Sequence, residues 1–341
     1  MIGLTIILQD KRTKAYTMGT KDEYKQRINE LKSIIDRTLT PEITNDYILL
    51  DLPYYTNIGD TLIWEGTKEF LKKLPYKCLY ASDMNFFIKR KFPKNTVILL
   101  QGGGNFGDQY REHTEFRKKI IQSYPQNKVI ILPQSVYYES EHYLSEDVSF
   151  YSTHKNVIVC TRETYSYEFI KSRFPYNRVL LIPDLAFYIE ITKYKIPPST
   201  GKTLFLRRLD FEFLSGQRYH SIPKDAEVSD WPTFHQEDQQ LRVVSFIFRC
   251  FKFIAAIGGS KYKNKLEDIK RCYFYRKRYV QIGINFLSQY DTIYTTRLHV
   301  LILAVLLGKK IYIYNNSTGK LNNFYNSWLT ETHNIALINE L

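Results

Sequence analysis

The sequence predicts an α/β protein with parallel, doubly wound sheets, and three observations predict it. Short apolar runs rich in Ile, Leu, Val and Tyr alternate with segments of helical periodicity, the rhythm of βαβ units. Four such runs in succession end in polar residues, at Gly102 to Asp108, at Gln134 and Ser135, at Arg162 and Glu163, and at Asp184. Parallel strands gather ends of this kind on one sheet edge. Between Tyr290 and Tyr314 a complete βαβ unit is legible, with a helix too apolar for a solvated surface and too short to cross a bilayer.

A chain of 341 residues has room for two domains of ordinary size. The segment Ile191–Lys202, with its Pro-Pro-Ser-Thr-Gly run, marks the boundary, which gives lobes 1–195 and 196–341. The formal charge of +13 calls for an acidic partner, whether nucleic acid, an anionic small substrate or a membrane surface. The usual nucleic-acid recognition motifs are missing. Cys78, Cys160, Cys250 and Cys272 are scattered, and no HExxH or clustered ligand set occurs, so reduced thiols in the cytoplasm and no metal are expected. The opening Ile-Gly-Leu-Thr-Ile-Ile-Leu lacks a basic n-region, which argues against a secretory signal.

A helix over Glu23–Leu39 precedes the first buried strand, Tyr47–Leu52. Asn57-Ile58-Gly59-Asp60 then leads into a helix over Thr61–Leu74, a turn that suits a ligand and equally suits ordinary cap chemistry for Asn57 and Asp60. Strands follow at Lys77–Ala81 and Thr96–Leu100. After the second, Gly102, Gly103 and Gly104 remove every Cβ before Asn105, which favours a binding loop. The rest of this half reads as a helix over Tyr110–Tyr124, a strand at Lys128–Leu132 turning at Pro133-Gln134-Ser135, and a helix near Ser145–Thr153. A strand at Val157–Cys160, a helix over Thr164–Phe174 and a strand at Val179–Ile182 complete it.

In the second half, a strand at Thr203–Leu206 delivers Arg207 and Arg208. Their guanidinium groups suit phosphate or carboxylate, and because they point to opposite faces only one enters a cleft. Segment 241–278 is apolar over Leu241–Ile257 and dense in Lys and Arg over Lys261–Arg278. It fits a basic amphipathic element on an anionic membrane, or a core helix followed by a solvated basic loop. A helix over Tyr279–Gln289 leads to a strand at Thr292–Tyr294, the turn with Arg297 and His299, a helix over Leu298–Leu307 and a strand at Ile311–Tyr314. A guanidinium, an imidazole and a helix N-terminus together suit an anionic substrate that needs a proton moved. In the plainer reading Arg297 caps a strand end and His299 is packed in the core. Lys320 follows a polar loop that brings it to the same edge.

Asn57-Ile58-Gly59-Asp60, Gly102-Gly103-Gly104-Asn105, Gln134-Ser135, Arg162-Glu163, Pro183-Asp184, Arg207-Arg208, Arg297-Leu298-His299 and Lys320 occur in this order, and in this the chain resembles the polysaccharide pyruvyl transferase family. The resemblance implies two Rossmann-like lobes arranged as in GT-B glycosyltransferases, with a cleft between them. It implies phosphoenolpyruvate as co-substrate, with no further cofactor, and a sugar diol as acceptor. The products are a pyruvate ketal, in surface or exopolysaccharide (capsule) biosynthesis, and phosphate. Arg207 or Arg208, Arg297, His299 and Lys320 would bind the donor on the C-terminal lobe. Asn57, Gly59, the three glycines, Asn105, Gln134, Ser135 and Arg162 would line the acceptor side. His299 suits proton donation, and Asp60 or Asp108 suits the base that takes the acceptor's proton. A lipid-linked acceptor would place the enzyme at the inner face of the cell membrane. The chain departs from the family at Val300, where glycine is common, and shows no family pattern over 213–277. Two alternatives are a nucleotide-sugar glycosyltransferase, with Asp210 or Glu212 on the ribose, and a non-catalytic module binding anionic polymer or membrane.

Overall fold

The computed structural model describes residues 22–208, 219–234, 238–255, 260–315 and 318–338; Asp210 and Glu212 lie outside them. Two parallel sheets form the frame of a mixed α/β fold of two Rossmann-like lobes. The first is built from β1 (Tyr47–Leu50), β2 (Cys78–Ala81), β3 (Val97–Leu100), β4 (Gly103–Gly107), β5 (Val129–Tyr137), β6 (Val157–Thr161) and β7 (Arg178–Leu181). Its order is β2-β1-β3-β5-β6-β7, with β4 paired to the far half of β5. The second contains β8 (Lys202–Leu206), β9 (Glu227–Ser229), β10 (Tyr290–Thr295), β11 (Lys310–Tyr314) and β12 (Ile335–Ile338), in the order β12-β11-β10-β8-β9. In each sheet the first strand lies between the second and the third, so the strand order reverses beside β1 in one lobe and beside β8 in the other. Ligands of such sheets collect at that reversal, outside the carboxyl ends of the strands.

The central strands are buried on both faces, and β1, β3 and β6 carry no exposed residue. Helix α9 (Leu298–Leu306) is buried around most of its circumference and fills the second lobe's core. Helix α2 (Ile58–Leu71) is wedged between the lobes, with Ile58 and Leu62 in the core of the second and Ile63 and Trp64 in that of the first. A Cβ on Gly66 would stand 1.8 Å from the Leu185 carbonyl oxygen, so only glycine lets α2 pass the segment after β7. Helix α1 (22–39) is also shared, with Tyr24 and Leu31 in the second lobe's core and Ile35 and Leu39 in the first's.

Several boundaries differ from the sequence reading, and two differences matter. β1 stops at Leu50 rather than Leu52, which makes Asp51 a strand-end residue. β5 runs on through Pro133, Gln134 and Ser135, expected to form a turn; its later residues pair instead with the glycine-rich β4. The segment read as an amphipathic basic element or as a core helix followed by a basic loop is helical throughout its described residues, comprising α6 (Gln239–Ala255), α7 (Ser260–Ile269), a π-helical turn at Lys270–Tyr275 and the start of α8 (Arg276–Ser288), so the Lys- and Arg-dense part is not a loop. Helix α7 straps the lobes together: Tyr54 Oη and Ser82 Oγ each donate to Asp268 at 2.9 Å, and Asn264 donates to the Phe86 carbonyl.

Candidate active site

The two strand-order reversals face one another across a cavity of about 320 Å³. From the first lobe it is lined by Tyr55, Asn57, Gly59, Asp60, Gly104, Asn105, His113 and Arg162, and from the second by Arg208, Arg297, His299 and Lys320. Four cations thus face the cavity against the carboxylates of Asp60 and Glu112, which suits an anionic ligand.

The second lobe's wall is set by two adjacent threonines. Thr295 Oγ1 donates to the Leu206 carbonyl and accepts from the Arg297 N–H, while Thr296 Oγ1 accepts from the Arg208 N–H. The ends of β8 and β10 are thereby pinned together. Arg208 reaches the cavity and Arg207 does not, as expected for neighbours in an extended strand. Arg297 is held along one edge by Asp230, with Nε to Oδ1 at 2.6 Å and Nη2 to Oδ2 at 2.5 Å, and lies 5.3 Å above the Phe234 ring. Lys320, the first residue of α10 (Lys320–Trp328), donates to the Gly104 carbonyl at 3.2 Å and to Gln109 Oε1 at 2.8 Å.

His299 lies in the first turn of α9 and contacts the opposite lobe. Its Nε2 is 3.3 Å from Asp184 Oδ2, and a Cβ on Gly59 would come within 2.7 Å of its Nδ1. Burial alone would raise the Asp184 carboxyl, but His299 and Arg162 outweigh it and hold the group at about 2, so a carboxylate stands behind the imidazole. Arg162 is fixed in turn, donating from Nη1 to Asp184 and from Nε to Ser135 Oγ, both at 2.8 Å. Burial pushes the neighbouring Glu163 up to about 7, against the opposing pull of Ser166, Arg162 and Ser135.

The remaining expected residues divide between lining and support. Asn57 faces the cavity while its Oδ1 caps α2 on the Gly59 N–H at 2.8 Å. Gly102 and Gly103 do not line the cavity; a Cβ on Gly102 would meet the Pro133 carbonyl oxygen at 2.7 Å, so the close approach there is strand to strand. Gln134 and Ser135 are buried behind the wall, Gln134 donating to the Gln101 carbonyl. Asp108 is displaced from the proposed role of base: its carboxylate accepts from the Glu139 and Ser140 N–H groups and does not face the cavity. Asp60 does face it, and accepts from Tyr55 Oη at 3.1 Å.

A second histidine and carboxylate pair was missed in the sequence. His113, in the first turn of α3 (Arg111–Ser123), faces the cavity with Nδ1 2.7 Å from Asp51 Oδ1. Asp51 has a φ of 65°, and Arg117 donates to it while also holding Asn105. A left-handed non-glycine residue costs roughly 1–3 kcal/mol and persists where its surroundings hold it, as two partners do here. Away from the cleft, Glu115, Glu146 and Asp147 converge, but the Lys118 ammonium sits among them, 2.7 Å from Glu146 and 2.5 Å from Asp147.

Comparison with known proteins gives this cleft its context. Residues 57–318 match the family model described as polysaccharide pyruvyl transferase, a span that holds most of the cavity's lining, with Tyr55 and Lys320 just outside it. The chain belongs to the polysaccharide pyruvyl transferase family. It is 33% identical over 316 residues to a Bacillus subtilis protein named "Putative pyruvyl transferase EpsO", covering 92% of this chain and 93% of that one. It is 29% identical over 306 residues to "Pyruvyl transferase 1" of Schizosaccharomyces pombe, covering 82% and 69%. In fold it resembles the crystal structure of an uncharacterised Klebsiella pneumoniae protein, with a TM-score of 0.59 and 22% identity over 91% of this chain and 99% of that one. The family's description and both relatives' names denote pyruvyl transferases, and the family description adds polysaccharide.

Proposed function

We propose that the interlobe cavity transfers the enolpyruvyl group of phosphoenolpyruvate to a sugar diol, forming a pyruvate ketal and releasing phosphate. The observation that carries this reading is the ring of Arg162, Arg208, Arg297 and Lys320 around the cavity-facing His299. Phosphoenolpyruvate carries a phosphate and a carboxylate, and several cations in one cleft answer that demand.

The reaction needs a proton on the methylene carbon, attack of one hydroxyl on the resulting cationic carbon, departure of phosphate, and closure by the second hydroxyl. Two C–O bonds form, the C–O bond to phosphate breaks, and the two hydroxyl protons balance the methylene proton and the phosphate. His299 supplies the proton to the methylene, or to the departing phosphate, while the Asp184 carboxylate holds its ring. Arg208 and Lys320 take the donor's anionic groups. On the first lobe, Asp60 takes a hydroxyl proton, and His113 backed by Asp51 stands on the same wall to assist the second. The acceptor enters from that side and suits a lipid-linked or free saccharide.

The test is incubation with phosphoenolpyruvate and a panel of saccharides with free diols, following inorganic phosphate and acceptor mass. The reading requires phosphate release that depends on the diol, with an acceptor gaining pyruvate less one water. Transfer from a nucleotide sugar, with phosphoenolpyruvate inert, would replace it by the glycosyltransferase reading.

A further inference from the structure

Helix α6 is apolar on two opposite faces, and only one of them is packed. At 100° per residue, Leu241 and Phe248 share the inward face, where Leu241 is buried and Phe248 contacts Phe274 at 5.6 Å. The opposite arc carries Val243, Phe246 and Ile247, exposed by 59%, 64% and 45%, and Phe251, exposed by 53%, stands on its flank with its ring 6.5 Å from that of Phe248. Surface helices of globular proteins present polar residues there. The patch continues onto the π-helical turn, where Tyr273 and Phe274 are exposed by 68% and 46%. Arg242 and Arg249 stand exposed along one edge of the arc, and Lys265 and Lys277 are exposed on the adjoining helices.

We infer that this face of α6 docks on an anionic lipid bilayer, lying in the plane of the headgroups. Bulky apolar side chains flanked by Arg and Lys are the make-up of an interfacial helix, with the apolar groups entering the acyl boundary and the cations meeting anionic headgroups. A second copy of the chain fits less well, because a face-to-face pairing would set Arg242 and Arg249 against the partner's cations. No helix among the described residues is long and apolar enough to cross a membrane. The face is tied to the cleft by a short path: Asp238 Oδ1 caps α6 on the Leu241 N–H, and just before it Trp231 lines the cavity and Phe234 lies beneath Arg297. The inference concerns this surface and does not depend on the reaction assigned to the cleft.

The experiment is co-sedimentation of the full chain with vesicles of phosphatidylcholine alone or mixed with phosphatidylglycerol, at low and high salt. Wild type is expected to bind the mixed vesicles at least about tenfold more tightly than the neutral ones, and less tightly as salt rises. Val243→Ser combined with Phe246→Ser should abolish binding without lowering the melting temperature, since both side chains already face solvent. Phe246→Trp should show a blue shift of tryptophan emission on adding the mixed vesicles that wild type, with its three native tryptophans, does not show. Equal binding to neutral and anionic vesicles, binding unchanged by the double substitution, or no blue shift would overturn the inference. So would a wild-type dimer in analytical ultracentrifugation that the double substitution dissociates, in the absence of vesicle binding.

Discussion

His299 and Asp184 meet across the cleft, imidazole Nε2 to carboxylate Oδ2 at 3.3 Å, although one belongs to the second lobe and the other to the first. The His299 ring is therefore oriented only when the lobes are together. Asp184→Asn should lower kcat by at least about tenfold with little change in KM for phosphoenolpyruvate, because it removes the partner that orients the ring. His299→Ala should cost roughly 10²–10⁴ in kcat.

The same carboxylate sets an acid limit on stability. Its folded pKa of about 2 lies below its ordinary value of 3.8, so its stabilising contribution is complete above pH 4 and disappears as pH falls through the folded value. The contribution is about 2 kcal/mol. Denaturant unfolding measured from pH 5 down to pH 2 should fall less steeply for Asp184→Asn than for wild type.

Glu163 works in the opposite sense. Burial raises its folded pKa to about 7 from 4.5, so the fold favours its protonated form, and stability is lost as pH rises between those values. Glu163→Gln should flatten that decline, by about 3 kcal/mol between pH 4 and pH 8.

Two glycines of α2 should separate function from folding. Alanine at Gly59 would place a Cβ 2.7 Å from the His299 ring, which can swing away from Asp184. Activity should fall roughly a hundredfold, while the melting temperature falls by no more than a few degrees. Alanine at Gly66 would meet a backbone carbonyl that cannot move away, and a loss of about 3 kcal/mol or more in stability is expected.

Much of this arrangement was legible because strand ends announce themselves. Arg162, Arg208 and His299 each follow a short buried run, and parallel strands deliver such ends to one edge. Asp51 and His113 were not legible. Reading β1 as far as Leu52 absorbed Asp51 into an apolar run, since Leu52 is buried but no longer in the strand. His113 sits in a charged helix whose turn toward the cleft depends on a tertiary contact with Asp51. Asp108 misled for a related reason: a carboxylate after a glycine-rich strand reads the same whether it faces a ligand or caps two backbone N–H groups. The partners of Arg297 and His299, at Asp230 and Asp184, are separated from them by 67 and 115 positions, beyond the reach of any local pattern.

The central claim is that the cations of this cavity hold phosphoenolpyruvate, and melting temperature with and without that ligand tests it most directly. A ligand bound only by the folded chain adds roughly 2.7 kcal/mol at about a hundred times its Kd. Wild type and Arg207→Ala should both melt higher in its presence, while Arg208→Ala and Lys320→Ala should lose the shift, because their side chains face the cavity and that of Arg207 does not. An unshifted wild type, at a concentration where a nucleotide sugar does raise the melting temperature, would contradict the account.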